Sequence, residues 1–472
     1  MKAYQDLNLT ESAAFQNLSD FVRAEATRAG AIEGGFEAYE RKLHGLVAAW
    51  EAELVGEQLK RYDVDTDEIE VGGKKYRKKD SWEEEYVSQA GAFRVNRAMY
   101  VPREGQGRAV SPMELRAGVV EGKWTPRAAR LMAYAMAAST SREAEQLFSE
   151  LGGMQPSASS LDRLPKRLSD VWEAQRTEFE DELRAHERVS GAAVTVSVSL
   201  DGVMVPMKDA GRVEKRSQED KEPKGPAGYR EVGCGTVTLY DAEGKRLETT
   251  RYARMPEKKK VTLKEELRAE LASILEARPD LRLSLIADGA EDNWEFLAEL
   301  ASDFNVEDAE LTLDLFHTLE HVKDALDAYH GKDTTGAKVA FEECRIMLRE
   351  EQDGVERVIR ALRYRRDRTR GSKRKQIEKE IKYLSKRKDM MRYADLLARN
   401  LPVGSGIVEA ACKTLASERM KRSGMSWNQD GGQAVLTFRS LIQSDRWDRG
   451  WAFIAAQYRQ DVLTAGSQKA AA

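Results

Sequence analysis

Three acids stand out by what surrounds them. Asp201 follows the β-branched run at 192–200, Asp288 follows the apolar run at 281–287, and Glu409 lies just beyond Ser405 where helical spacing resumes. Open α/β sheets gather ligands and catalytic groups at their strand ends. Carboxylates placed there are hard oxygen donors suited to Mg²⁺ or Mn²⁺, with water and a phosphate completing the shell. Two such ions between shared acids can activate an attacking oxygen and stabilise a leaving one in phosphoryl transfer. Taken singly, Asp201 and Asp288, each followed by glycine, also read as ordinary turns. Their order along the chain sets them apart.

A second group competes for attention. His317, Glu320 and His321 form an H-x-x-E-H string, which on one helix face could bind zinc with Glu320 as general base: a metallopeptidase reading. Alternatively His317, opening a helix after a short strand at 311–315, emerges beside Asp201 and Asp288. There it could donate to a phosphate or offset developing charge, leaving His321 to packing. A helix-capping role for His317 is the plainer possibility. Cys412, one turn past Glu409, has no base partner and reads as packing.

Charge is segregated. Between residues 363 and 392, fourteen Lys and Arg stand against four acids, a net +10, in a chain of net charge −4. Such a stripe suits a polyanion, and Arg365, Arg366, Lys373 and Arg374 are its candidate phosphate contacts. A solvated helix with i,i+4 pairs such as Glu378 with Lys382 is the alternative. Arg419, Lys421 and Arg422 form a further basic group beside Trp427, which either packs in the core or stacks on a base.

The elements that must position these residues divide the chain. Residues 1–70 read as amphipathic helices for packing or self-association, and 71–125 as a small β-ribbon-like region whose basic run 74–79 is either strand or loop. Residues 126–190 read as a helix-turn-helix-like DNA-binding region: Pro126 opens one helix, Ser141 caps the next, Gly152 and Gly153 end it, and 157–160 open a third. From 191 to 330 the pattern is α/β, with a hairpin at 231–254 and a long exposed loop at 208–229. Residues 331–400 form a basic helical insertion. Residues 401–472 return as helices, with Ser405 as N-cap.

The 472 residues, 41% apolar and 33% charged, suffice for several packed domains and exclude a disordered chain. No apolar stretch reaches the ~18 residues of a spanning helix. The N-terminus lacks a signal-peptide core, and the isolated cysteines Cys234, Cys344 and Cys412 offer no disulfide framework. The expectation is a cytoplasmic protein with no membrane partner.

The succession of strand with acid, two hairpin strands, helix, strand with acid, helix, short strand, helical insertion and helix with acid resembles the RNase H-like core of DDE transposases. The chain is similar to an insertion-sequence transposase of the ISKra type, with Mutator-like relatives. The likeness is carried by Val198-Ser199-Leu200-Asp201-Gly202, Arg230-Glu231-Val232-Gly233 and Ile286-Ala287-Asp288-Gly289-Ala290. It continues through Asp314-Leu315-Phe316-His317, which matches a D-x-x-H element, and Gly404-Ser405-Gly406-Ile407-Val408-Glu409. Arg419-Met420-Lys421-Arg422 through Trp427 closes it, with Gly431-Gly432-Gln433-Ala434 behind.

The resemblance implies an α/β fold: an RNase H-like mixed sheet with a helical insertion, preceded by a mostly helical N-terminal region. It implies Asp201, Asp288 and Glu409 as a triad binding two Mg²⁺ or Mn²⁺ ions, with His317 beside them. The implied activity is DNA cleavage and strand transfer at insertion-sequence ends, with DNA ends and target as partners and a homo-oligomer as the working form. No cysteine precedes Cys234, so the zinc module common in relatives is not expected. A DNA-binding descendant without catalysis is a further alternative.

Overall fold

A computed structural model of the chain describes residues 12–30, 34–105, 107–208, 228–304, 306 and 309–464. Most of the loop expected at 208–229 lies outside the described residues. The chain divides into two compact units, Met1–Phe179 with Trp447–Ala472, and Glu180–Arg446. Among the described residues no helix is long and apolar enough to cross a membrane.

In the first unit, helices α1 (Ala13–Thr27) and α2 (Gly35–Lys60) pair through Phe15 with Trp50 and Phe21 with Tyr39. Strand β1 (Glu68–Val71) turns through Gly72 and Gly73, both at positive φ as a two-residue hairpin demands, into β2 (Lys74–Ser88). The basic run 74–79 is therefore strand. Antiparallel β3 (Gly91–Pro102) completes the ribbon, and Ala52 and Leu59 of α2 pack with Tyr86, Phe93 and Val95.

Helices α3 (Pro112–Ala117), α4 (Pro126–Ala138), α5 (Ser141–Leu151) and α6 (Ala158–Ala174) follow. Thr140, not Ser141, caps α5: its hydroxyl accepts from Glu143 N while the Glu143 side chain accepts from Thr140 N, a closed capping box. The C-terminal residues depart from the expected division. Helix Trp447–Ala456 and strand Val462–Thr464 belong to this unit, the strand pairing antiparallel with β1. Hydrogen bonding along an otherwise bare sheet edge is the reason.

Helix α7 (Arg176–Ala185) leads into the second unit. Its sheet comprises β4 (Thr195–Pro206), β5 (Tyr229–Tyr240), β6 (Arg246–Arg254), β7 (Arg282–Ala287) and β8 (Glu310–Leu313), in the order β6-β5-β4-β7-β8. The first three form an antiparallel meander; β7 runs parallel to β4, and β8 to β7. Helix α8 (Val261–Ala277) connects β6 to β7, and α9 (Glu291–Asp303) connects β7 to β8. Val196, Val198 and Leu200 bury one face of β4 under Leu263, Leu267 and Leu271 of α8.

Helices α10 (Leu315–His330), α11 (Thr335–Glu350), α12 (Gly354–Asp367), α13 (Gly371–Lys386) and α14 (Tyr393–Ala398) then share a core of their own, including Leu319, Leu326, Leu348, Leu362 and Ile381. The basic stripe lies on α12, α13 and the residues after them. Helix α15 (Gly406–Ala411) runs on through a π-helical turn, Cys412–Ser417, to Met420, and α16 (Gln429–Gln443) follows. Val408, Cys412 and Leu415 pack with Val205, Val232 and Cys234, on the face of β4 that carries Asp201.

Candidate active site

Asp201 does not end its strand, as its following glycine suggested. β4 continues to Pro206 because Asp201 and Gly202 keep their antiparallel partners Cys234 and Gly233. What ends is the parallel pairing, whose last pair is Leu200 with Ala287. Asp201 and Asp288 are the next residues on these neighbouring strands. A Cβ at Gly202 would meet the Glu231 side chain, which would have to swing aside and give up its present place beside Lys260.

The Asp201 carboxylate accepts from Gly202 N at 2.6 Å and from the Cys412 thiol at 3.8 Å. Burial holds its pKa above the ordinary aspartate value; the Gly202 N–H opposes this, the charge of Asp288 adds to it and Lys260 offsets part. Asp288 Oδ1 accepts from Ala290 N at 3.2 Å and Asn293 Nδ2 at 3.1 Å. Lys260 Nζ reaches Asn293 Oδ1 at 3.4 Å and pairs with Glu231 at 2.9 Å. Lys260 and Asn293 carried no local signal in the sequence.

Asp314, only 1% exposed, holds the other side. It caps α10 by accepting from Phe316 N at 3.0 Å and clamps the 403–406 loop by accepting from Ser405 N at 3.1 Å and Ser405 Oγ at 2.5 Å. Ser405 is thus not a side-chain cap for α15. Its hydroxyl serves Asp314 and also lies 3.3 Å from Glu409 Oε1. Glu409 is exposed, and its pKa is raised by partial burial and then by the charges of Asp314, Asp201 and Glu320, with Ser405 opposing. The π-helical turn after it brings Cys412 against Asp201. Cys412 is buried and its thiol is pushed far up by its hydrogen bond with the free Cys234 thiol and by burial, in keeping with packing.

The two histidines differ. His317 Nδ1 stands 3.4 Å from Glu320, whereas His321 Nδ1 is tied at 2.6 Å to Glu380, a buried carboxylate of α13. Their rings meet edge-on, 4.9 Å between centroids.

The basic residues are equally varied. Lys373 and Arg374 are exposed on α13 and Arg374 lies 3.8 Å from Asp367. Arg366 is engaged by Glu378 at 2.7 Å and Asp367 at 2.9 Å, and Arg365 donates to Ala361 O. Lys421 and Arg422 are exposed, and Arg422 donates to Glu418 O. Arg419 departs from the expected phosphate contact: it is 3% exposed, its guanidinium 5.0 Å from the Trp427 ring. Trp427 itself donates to Met420 O and packs on the core beneath α15.

Asp201, Asp288, Asp314 and Glu409 thus form an electrostatically connected set of hard oxygen donors. Among the described residues, no three His, Cys, Asp or Glu side chains close round one point at ligating distance. The donor chemistry nonetheless fits a divalent cation, because Asp201 and Glu409 are held up in part by neighbouring carboxylates whose repulsion such an ion would relieve. No protein-family model and no curated protein matches the chain.

Proposed function

We propose that this chain is a DNA transposase with an RNase H-like core that cleaves DNA and joins strands at the ends of an insertion sequence. The observation carrying the reading is the placement of Asp201 and Asp288 beyond the last pair of adjacent parallel strands, with the Glu409 carboxyl within electrostatic reach of Asp201. Support also comes from the strand order, an antiparallel meander of three followed by two parallel strands. Asp201, Asp288 and Glu409 would hold Mg²⁺ or Mn²⁺, which supplies an activated attacking oxygen and charge for the leaving one. The chain's own contribution is orientation. Asn293 and Ala290 N fix one oxygen of Asp288, Ser405 links Asp314 to Glu409, and Lys260 tempers the negative charge. In this reading the exposed faces of α5, α6 and α13 contact DNA, and the protein acts as an oligomer on two ends.

The test is to incubate the full chain with DNA carrying the sequences that flank its coding region, in Mg²⁺ or Mn²⁺. Nicks at the element ends are expected. Intact DNA in both metals would sink the reading.

The basic stripe gives a separate expectation. Replacing Arg365, Arg366, Lys373 and Arg374 by glutamine should weaken binding to all DNA sequences alike and flatten its salt dependence. Each lost phosphate contact lowers the slope of log K against log salt by about 0.9. Lys373 and Arg374 should account for most of that change, since Arg366 is spent on Glu378 and Asp367. An unchanged slope returns the stripe to a solvated face.

His317→Ala should slow cleavage by about a hundredfold, the scale of one positioned proton donor, with DNA affinity and melting temperature nearly unchanged. His321→Ala should instead lower the melting temperature, because it deprives buried Glu380 of its imidazole partner. Equal kinetic loss from both, with zinc released, would favour a metallopeptidase-like site.

A further inference from the structure

The helical insertion touches the candidate active site through α13 and the residue after it. The Tyr383 ring stacks on His321, with centroids 3.6 Å apart and planes 23° from parallel. The Arg387 guanidinium lies 4.2 Å from the centroid of the same ring. Glu380, one turn earlier on α13, anchors His321 at 2.6 Å.

This assembly converges on one glycine. Arg387 Nη2 donates to Gly289 O at 2.9 Å, and a Cβ added to Gly289 would run into Tyr383 Oη. Lys386 pairs with Glu291 at 2.9 Å, just past the same turn. The Tyr383 hydroxyl is buried and, among the described residues, has no hydrogen-bond partner. Phenylalanine would fill that place without an unsatisfied donor, so the buried, unpaired hydroxyl calls for an explanation.

Gly289 directly follows Asp288, and the carboxylate of Asp288 takes its direction from the next turn through Ala290 N and Asn293. That turn is held by Asn293 and gripped by α13 and Arg387. We propose that Tyr383 and Arg387 are positioning residues for Asp288, making the insertion an integral part of the metal-binding site as well as a surface for DNA. The inference rests on the reading of Asp288 as a metal ligand.

Titration of the full chain with Mn²⁺, followed by electron paramagnetic resonance without DNA, tests it. Arg387→Ala and Tyr383→Ala should each weaken Mn²⁺ binding about tenfold, the usual effect of removing a support behind a ligand. Arg387→Lys should recover part of the loss, since it keeps one donor for Gly289 O. Where an alanine variant fails to fold, Gly289→Ala serves instead: it drives a methyl into Tyr383, and Tyr383→Phe in the same chain should restore part of the affinity. Unaltered Mn²⁺ affinity in these variants, while Asp288→Asn loses the ion, overturns the positioning role alone. If Asp288→Asn binds Mn²⁺ like the unaltered chain, or the unaltered chain binds none, the metal-site reading falls and this inference with it.

Discussion

Asp201→Asn, Asp288→Asn and Glu409→Gln are each expected to reduce DNA cleavage about a thousandfold or more. That loss corresponds to ~4 kcal/mol of transition-state stabilisation, the scale of metal-ion charge stabilisation. The fold should survive. Each amide keeps an oxygen acceptor: the one at position 201 can still accept from Gly202 N, and the one at position 288 from Ala290 N and Asn293. Burial already disfavours the charged form of Asp201, so a neutral amide there relieves a cost. Cleavage of end-labelled duplex in Mn²⁺ gives the rate, and gel shift without metal gives the affinity. Retained cleavage in Glu409→Gln would move the third position to Asp314, which Ser405 already couples to Glu409.

The second large effect concerns stability. Arg446 is 2% exposed and faces three acids: it donates to Glu187 at 2.8 Å, Glu270 at 2.7 Å and Glu180 at 3.5 Å, and to the Tyr252 hydroxyl at 2.8 Å. Arg184 adds weaker pairs to Glu180 and Glu270. Arg446→Ala leaves buried Glu180 and Glu270 with only Tyr252 and the weaker Arg184 pairs, and should cost about 3–5 kcal/mol, the penalty for breaking a buried ion pair. Urea denaturation followed by circular dichroism measures it; a loss below about 1 kcal/mol would mean that water replaces the arginine. The network also sets a pH dependence. Burial pushes Glu180 up to about 7, with Arg446 opposing and Glu270's charge adding. The folded state therefore binds this proton more tightly than the unfolded chain, and stability falls as pH rises from about 4.5 towards 7. Burial pushes on Glu270 in the same direction, but Arg446 outweighs it and holds that carboxyl below its ordinary value. The Glu270 contribution is therefore lost as pH drops below the ordinary glutamate range. Glu180→Gln should flatten the decline between about pH 5 and 7.

The elements that present the acids were legible because their signals are local. The β-branched run before Asp201, the hairpin at 231–254 and the apolar run before Asp288 all became strands of one sheet. Glu409 lies in the first turn of a helix, as its spacing after Ser405 suggested. What stayed hidden depends on partners distant in the chain. An Asp-Gly pair is a turn signal by itself, yet Asp201 and Gly202 remain in β4 because β5 supplies their hydrogen bonds. Ser405 has a capping side chain, but buried Asp314 offers its hydroxyl a charged acceptor. Tyr383 and Arg387 sit in a basic, helical stretch whose composition suggests an exposed face for a polyanion or solvent, and only packing reveals that they reach Gly289. No residue spacing announces such contacts.

The short strand Val462–Thr464, which completes the N-terminal sheet beside β1, has a consequence for how the protein is made. During synthesis β1 leaves the ribosome long before its neighbour exists, so one edge of that sheet waits with unpaired backbone groups. Glu180–Arg446 is continuous in sequence and can close its own core in the meantime. A chaperone or self-pairing aggregate has its opening at the waiting edge, and a truncation that removes residues 462–464 acts on a sheet built from residues 68–102. The sheet that β1 begins is finished only once residues 462–464 have been made.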